Sequence, residues 1–277
     1  MRLLKSINNN IVTALDNDGI EVIVVGKGIG FRAKEGKELD PSSIQKTYRM
    51  ENQKDTDRLK DLFSSLPPKY IELTDEIFGY AKRVLNKRLN ERAYLTLADH
   101  IHFAVQRYRD GQMFSNALLN DVRRFYSTEY QIGLHALEII KKRLNIVFPC
   151  DEAASIAIHI LDAEYDISVK GTFDAAKLMN GILDIVENKE HFKIHDGKYY
   201  DDRFLTHLKF LTQRIVKNEP LPEGDDGLYS LLCIKFKKEI HCGNAVAEYL
   251  KKTCGAEIPR QEIACIAIHL CLIGQSS

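Results

Sequence analysis

The chain has 277 residues and a mass of 31.7 kDa, a length typical of about two domains. Its 39 Lys and Arg balance its 39 Asp and Glu, 44% of its residues are hydrophobic, and it has only 16 Gly and 7 Pro. These values exclude a disordered, collagen-like or histone-like chain, so any basic surface for nucleic acid has to be local.

The absence of recognisable targeting signals and the spacing of the cysteines predict a cytoplasmic protein without a bound metal. The longest apolar stretch, residues 263–274, contains His269 and is shorter than the roughly 20 residues that a membrane span needs. The N-terminus has no apolar segment of a signal peptide. None of the six cysteines forms a CxxC pair, which argues against a zinc knuckle and a disulfide framework. We therefore expect reduced thiols, no cofactor and no membrane insertion.

The first 50 residues combine short apolar runs with turn signals. Three of the predicted strands lie at 11–15, 21–25 and 44–48. Turn signals lie at 16–19 and 40–43, and a glycine-rich segment at 26–31 ends the second of these strands. We predict four short strands in a small antiparallel sheet. Because a sheet of this size has a marginal core, we expect it to dimerise or to pack on another element.

From residue 72 onward the apolar residues recur at helical spacing, and the helical part repeats itself. Residues 99–107 match 206–214 at an offset of 107, with His, Phe, Gln and Arg in common. Residues 152–159 match 262–269 at an offset of 110. The chain is therefore predicted to be α+β and multidomain, with a small N-terminal antiparallel β-sheet domain followed by two homologous all-α helical-bundle domains. The predicted boundaries are 1–55 for the sheet domain, 56–66 for a linker, and 67–171 and 172–277 for the two copies.

The repeat singles out four of the nine histidines. His100 and His207 hold one place in the repeated unit, and His159 and His269 hold another. One interpretation is a buried structural imidazole. The other is chemistry, because a packing site accepts apolar residues of similar volume and does not need an imidazole in both copies. A neutral imidazole near pH 7 has a free nitrogen that serves as a base, a metal ligand or a phosphoryl acceptor.

Metal chemistry has little support in the motifs. HExxH is absent, and Asp99-His100 has the reverse order of the ligand pair of metal phosphohydrolases. His195-Asp196 has the right order but is missing from the other copy. A metal-dependent phosphohydrolase with a regulatory N-terminal sheet stays as the alternative from the enzyme class.

The glycine-rich segment 26–31 fits neither a dinucleotide fingerprint nor a P-loop, because the third glycine and the Gly-Lys-Ser/Thr sequence are missing. One interpretation is a glycine bulge in a strand, with Phe31 in the core of the sheet. The other is close approach of the backbone to RNA. In that case Lys27 would contact phosphate, Phe31 would stack on an unpaired base, and Asn8 and Asn10 would bind base edges or 2′-hydroxyls.

These segments together resemble the BglG/SacY family of bacterial transcriptional antiterminators, of the LicT type. Residues 8–10 and 21–31 are similar to the co-antiterminator RNA-binding domain of that family. The histidine segments resemble its two phosphotransferase-system regulation domains, at 97–101 and 156–160 in the first copy and at 203–208 and 266–270 in the second. The resemblance covers essentially the whole chain.

The resemblance implies a regulator and not an enzyme, with no catalytic residues. Its expected partners are an RNA hairpin called the ribonucleic antiterminator, the phosphocarrier HPr, a sugar-specific enzyme II and a second copy of the chain. The implied RNA-binding residues are Asn8, Asn10, Gly26, Lys27, Gly28 and Phe31. The implied phosphorylation sites are His100 and His159, which inhibit, and His207 and His269, which activate.

The sequence departs from the family pattern at two places. Asp162 stands where an Asn is common, and Cys271 stands where an Arg is common after the last histidine. The cations expected to hold a phosphate near His207 are Arg203 or Arg214, or their copies from the mate. Near His269 the missing Arg leaves only Lys251, Lys252 or Arg260. We therefore expect His207 to carry more of the activation than His269. A DNA-binding activator with the same regulatory domains ranks low, since residues 1–50 lack the helical period of a helix-turn-helix.

Overall fold

The computed structural model describes residues 1–31, 33–49, 60, 66–112, 115–195, 198–222, 224 and 226–275, with backbone alone at 91, 92 and 95. Contacts between Cα atoms divide the chain into two compact units. One unit is Met1–Ser115 with Leu134–Pro149, and the other is Asn116–Gly133 with Cys150–Ser277. The predicted linker at 56–66 lies outside the described residues except for Lys60 and Leu66.

The first unit begins with the predicted antiparallel sheet. Its strands are β1 (Arg2–Asn8), β2 (Ile11–Leu15), β3 (Glu21–Val25) and β4 (Lys46–Arg49), and each strand pairs antiparallel with the next. The turn between β2 and β3 forms because the Asp16 carboxylate accepts the N–H groups of Asp18 and Ile20, each at 2.9 Å. The predicted small sheet is confirmed.

Both faces of the sheet are buried. Alternation along the strands places one set of side chains in a cluster on one face, which comprises Leu3, Val12, Ala14, Val22, Val24, Ile29 and Leu39. The opposite face packs on helices α1 (Pro68–Leu85) and α2 (Glu91–Arg109). There the ring of Tyr48 lies 5.5 Å from that of Tyr94, whose hydroxyl donates to the Ile71 carbonyl at 2.7 Å. The small sheet thus completes its core on the helices of its own chain.

The described helices follow the predicted repeat. The first copy continues with α3 (Leu119–Phe125), α4 (Ser127–Leu144) and α5 (Cys150–Tyr165). The second copy consists of α6 (Val169–Asp184), α7 (Tyr199–Val216), α8 (Gly227–Lys235), α9 (Lys237–Cys254) and α10 (Arg260–Gln275), with a π-helical segment, Ile185–Lys189, after α6. The last two helices of each copy begin 110 residues apart. The expectation of two homologous helical copies is confirmed.

Two glycines at equivalent places in the repeat lie where the last two helices of each copy meet. A Cβ at Gly133 on α4 would collide with the carbonyl oxygen of Ala153 on α5. At the equivalent place on α9, a Cβ at Gly243 would meet Ile263 of α10 at 2.9 Å. Glycine therefore allows the last two helices of each copy to approach closely. None of the helices in the described ranges is both long and apolar enough to cross a membrane.

Candidate functional site

The glycine-rich segment at the end of β3 folds into two successive turns. The N–H of Ile29 donates to the Gly26 carbonyl at 3.1 Å, and the N–H of Phe31 donates to the Gly28 carbonyl at 3.0 Å. Gly28 has a φ of 72°, which glycine adopts without strain. A Cβ at Gly26 or at Gly30 would collide with a backbone carbonyl oxygen, of Ser43 and Asn8 respectively. The buried glycines thus serve the packing of the loop on its own chain.

The predicted RNA-binding residues lie together at this end of the sheet. The side-chain oxygen of Asn8 accepts the Asn10 N–H at 2.9 Å, and that of Asn10 accepts the Gly28 N–H at 2.8 Å. These oxygens therefore fix the loop, a role that the sequence did not suggest. The side chain of Lys27 is exposed, and Phe31 is 62% exposed. The alternative that placed Phe31 in the core of the sheet is wrong.

In the second copy the structure brings the two repeated histidines together. His207 on α7 and His269 on α10 have nearly parallel rings, with centroids 5.1 Å apart and planes 24° apart. Nε2 of His207 lies 3.0 Å from a carboxylate oxygen of Glu262, also on α10. Both rings line a cavity of about 410 Å³ together with Tyr199, Asp202, Arg203, Thr206 and Phe210. The site is a half-buried imidazole pair at the mouth of an open cavity.

The two imidazoles have different electrostatic environments. Burial lowers the pKa of His269 to about 4, with smaller effects from His207 and Arg203, so this ring is neutral near pH 7. A carboxylate only accepts hydrogen bonds, so His207 donates its Nε2 proton to Glu262. Its Nδ1 is buried and has no hydrogen-bond partner within the part of the chain described. His269 is therefore the ring with the more available nucleophilic nitrogen in this arrangement.

Of the five predicted phosphate-holding cations, only Arg203 lines the histidine cavity. Its guanidinium donates to the Tyr199 hydroxyl at 2.9 Å. The other four pair with carboxylates outside the cavity, namely Arg214 with Glu219, Lys251 with Glu257, Lys252 with Glu248 and Arg260 with Asp226. The charge and geometry suit an anion bound at His269 or His207 beside Arg203.

The histidines of the first copy lie in different compact units. His100 is on α2 in the first unit, and His159 is on α5 in the second. Each side chain is half-buried. Burial raises the pKa of the neighbouring Asp99, against the lowering effect of His102 and His100. The phosphorylation of His100 and His159 stays a prediction.

Sequence reasoning overlooked Glu262 as the partner of His207. The signal was present, since Glu262 matches Glu152 at the same repeat offset as His269 and His159.

The structure also shows the surroundings of Asp162 and Cys271, the two residues that depart from the family pattern. Burial, and then Asp166, raise the pKa of Asp162 to about 6. Cys271 is half-buried, accepts a hydrogen bond from Gln275 at 3.4 Å, and is not among the residues that line the histidine cavity.

The structure offers no ready metal site among the side chains that it describes, where no group of three His, Cys, Asp or Glu is placed to hold an ion. Of the His195-Asp196 pair, Asp196 lies outside the described residues. The backbone N–H of His195 donates instead to the carboxylate of Asp201 at 2.7 Å.

Comparison with known proteins agrees with this architecture. The CAT RNA binding domain model matches residues 1–57, and the PRD domain model matches residues 75–163 and 180–271. The chain is 34% identical over 274 residues to the transcription antiterminator LicT of Bacillus subtilis (strain 168), covering 98% of both chains. It is 32% identical to the beta-glucoside operon antiterminator of Dickeya chrysanthemi, covering 98% of this chain and 95% of that one.

A solved structure supports the same assignment. The crystal structure of GlcT CAT-PRDI is 28% identical, covers 58% of this chain and 96% of that chain, and has a TM-score of 0.52. The chain therefore belongs to the BglG/SacY family of transcription antiterminators, which join a CAT RNA-binding domain to two PRD domains.

Proposed function

We propose that this antiterminator binds a hairpin in nascent mRNA, the ribonucleic antiterminator, upstream of sugar-utilisation genes. Binding stabilises this hairpin by RT ln(1 + [L]/Kd), where [L] is the concentration of free protein. The overlapping terminator hairpin then fails to form. The protein acts by binding and not by catalysis, as a cytoplasmic homodimer. The observation that supports this most is the loop that holds Lys27 and Phe31 exposed at the end of the sheet.

Histidine phosphorylation by the sugar phosphotransferase system is the proposed control. HPr would phosphorylate His207 and His269, and the sugar-specific enzyme II would phosphorylate His100 and His159. The neutral ring of His269, beside Arg203 in an open cavity, supports acceptance of a phosphoryl group there. A phosphate adds nearly two negative charges and strong hydrogen-bond acceptors, which biases the arrangement of the helices around it.

A pull-down with leader RNA fragments tests the proposal. We expect the full chain to retain a leader fragment that folds into a hairpin with unpaired internal bases, and to retain more of it after phosphorylation by HPr. Absence of any retained hairpin in both states would refute the RNA function. Elemental analysis tests the enzyme alternative, because stoichiometric Fe, Mn or Zn would favour a metal-dependent phosphohydrolase.

In the first copy, His100→Ala or His159→Ala is expected to give antitermination without the inducing sugar. Removing the imidazole removes the acceptor of the inhibitory phosphate, whose charge would otherwise repel the same group of the mate across a two-fold axis. A reporter gene downstream of the terminator measures the effect. If both variants keep full dependence on the sugar, the inhibitory site lies elsewhere.

In the second copy, His207→Asp and His269→Asp are each expected to raise RNA binding in cells that lack HPr, and His207→Asp more strongly. A carboxylate oxygen of Glu262 lies 3.0 Å from Nε2 of His207. A negative charge there repels this carboxylate and changes the contact between α7 and α10, whereas His269 lacks such a neighbour among its described contacts.

His207→Asn is the control, since it removes the imidazole without adding charge, and it should not activate. Reporter expression in the strain without HPr measures all three variants. Activation by His269→Asp with none by His207→Asp would refute the ranking and leave the family assignment intact.

A further inference from the structure

The end of the sheet that carries the predicted RNA-binding loop faces acidic side chains of α1. A cavity of about 90 Å³ in the first unit is lined by Asn10 and Lys27 from the sheet and by Glu72 and Asp75 from α1. Glu72 and Asp75 are three residues apart and therefore lie on one face of the helix. Two carboxylates thus lie at the border of the surface that is proposed to bind a polyanion.

Lys46, another cation of the sheet, forms an ion pair with this acidic face of α1. Lys46 lies opposite Val25 in the β3–β4 ladder, next to the start of the glycine-rich segment. Its Nζ is 3.3 Å from a carboxylate oxygen of Asp75 and 3.8 Å from the ring centroid of Tyr94. The Lys46 side chain is 21% exposed and that of Asp75 is 43% exposed, so solvent screens the pair only in part.

We propose that Lys46 is a further phosphate contact of the RNA-binding surface, and that the carboxylates of Glu72 and Asp75 take the place of RNA phosphates while no RNA is bound. This inference rests on the proposed RNA-binding function. The Asp75 carboxylate and a phosphate at Lys46 would repel each other, so RNA at this end of the sheet competes with the acidic face of α1 for Lys46. Helix α1 belongs to the first regulatory copy, and the competition therefore links the state of that copy to RNA affinity.

The test uses the full chain and a stem–loop RNA taken from the leader pull-down, with Kd measured by fluorescence anisotropy. Asp75→Asn, and the double variant Glu72→Gln with Asp75→Asn, should bind RNA about fivefold or more tightly than the wild type, because RNA no longer displaces an ion pair. Glu76→Gln is the matched control. It removes the same charge from the same helix, but Glu76 accepts hydrogen bonds from Arg143 at 2.8 and 3.0 Å and does not line the cavity.

Lys46→Gln in the double variant tests the contact itself. We expect weaker binding, and the slope of the logarithm of the association constant against the logarithm of salt concentration should become less negative by about one, as for a lost phosphate contact. Equal affinities of Asp75→Asn and Glu76→Gln would overturn the competition, and an unchanged salt slope in Lys46→Gln would overturn the contact.

Phe31→Ala separates this inference from the proposed function. If Phe31→Ala weakens binding while Asp75→Asn does not strengthen it, the RNA function stands and the competition is wrong. If the wild type and every variant fail to bind the stem–loop, the proposed function is wrong and this inference falls with it.

Discussion

Phe31→Ala is expected to lower the affinity for the RNA hairpin by about 5- to 150-fold, which corresponds to about 1–3 kcal/mol for the loss of one base stacked on an aromatic ring. The fold should not change, because the ring is 62% exposed and contributes little to the core. Titration of labelled hairpin into the full chain measures the affinity, and thermal unfolding checks the fold.

Phe31→Tyr is the control, since it keeps the ring and should keep most of the affinity. Asn10→Ala is a less clean probe than the sequence suggests, because Oδ1 of Asn10 accepts the Gly28 N–H and holds the loop in place. Its effect on RNA binding therefore combines a lost contact with a loosened loop. An unchanged hairpin affinity in Phe31→Ala would exclude stacking on this ring as a source of binding energy.

Lys209→Ala is expected to lower the free energy of unfolding by about 3–5 kcal/mol, because it leaves a buried carboxylate without its counter-charge. Nζ of Lys209 on α7 lies 2.9 Å from a carboxylate oxygen of Glu129 on α4, and the two side chains are only 14% and 4% exposed. The ammonium also lies 4.6 Å and 5.0 Å from the ring centroids of Tyr126 and Tyr165. Urea unfolding of the full chain measures the loss.

The loss should grow as the pH rises. Burial raises the pKa of Glu129, and Lys209 opposes that rise, so removing the lysine raises the pKa of this carboxyl further. A carboxyl with a raised pKa in the folded state stabilises the fold below its unfolded pKa of about 4.3, and this stabilisation is lost as the pH rises through the folded value. The variant should therefore be closer to the wild type at pH 5 than at pH 8.

Lys217→Ala, at the residue that follows the last residue of α7, provides the matched control. Lys217 pairs with Glu219 at 2.6 Å, but the side chains are 32% and 42% exposed, so its loss should change stability by about 1 kcal/mol or less. Equal effects of Lys209→Ala and Lys217→Ala would show that the Glu129 carboxylate is reached by solvent.

The Lys209–Glu129 pair also joins a helix of the second copy to a helix of the first. Lys209 lies two residues beyond His207, and it holds the repeat position that His102 occupies in the first copy. Its contacts with Glu129 and Tyr165 join helices of the first copy to the helix that carries a proposed phosphorylation site of the second. A shift of α7 after phosphorylation would therefore be transmitted to the first copy through a buried pair.

The small antiparallel sheet, the two helical copies and the four repeated histidines could all be predicted from the sequence. These features depend on local periodicity, on turn residues such as Asp16 and Gly19, and on comparison of the chain with itself. Each is a property of neighbouring residues or of a fixed offset, and neither requires knowledge of which segments meet in space.

The partners of those residues could not be predicted in this way, because they come from distant parts of the chain. The hydrogen bond from His207 to Glu262 joins residues 55 apart in the chain, and the Lys209–Glu129 pair joins residues 80 apart. Whether Phe31 lies in the core or in solvent depended on the turn at Gly28, because an apolar ring next to a strand fits either place. Contacts of this kind follow from how helices and strands pack, which sets the direction of each side chain and leaves no period in the sequence.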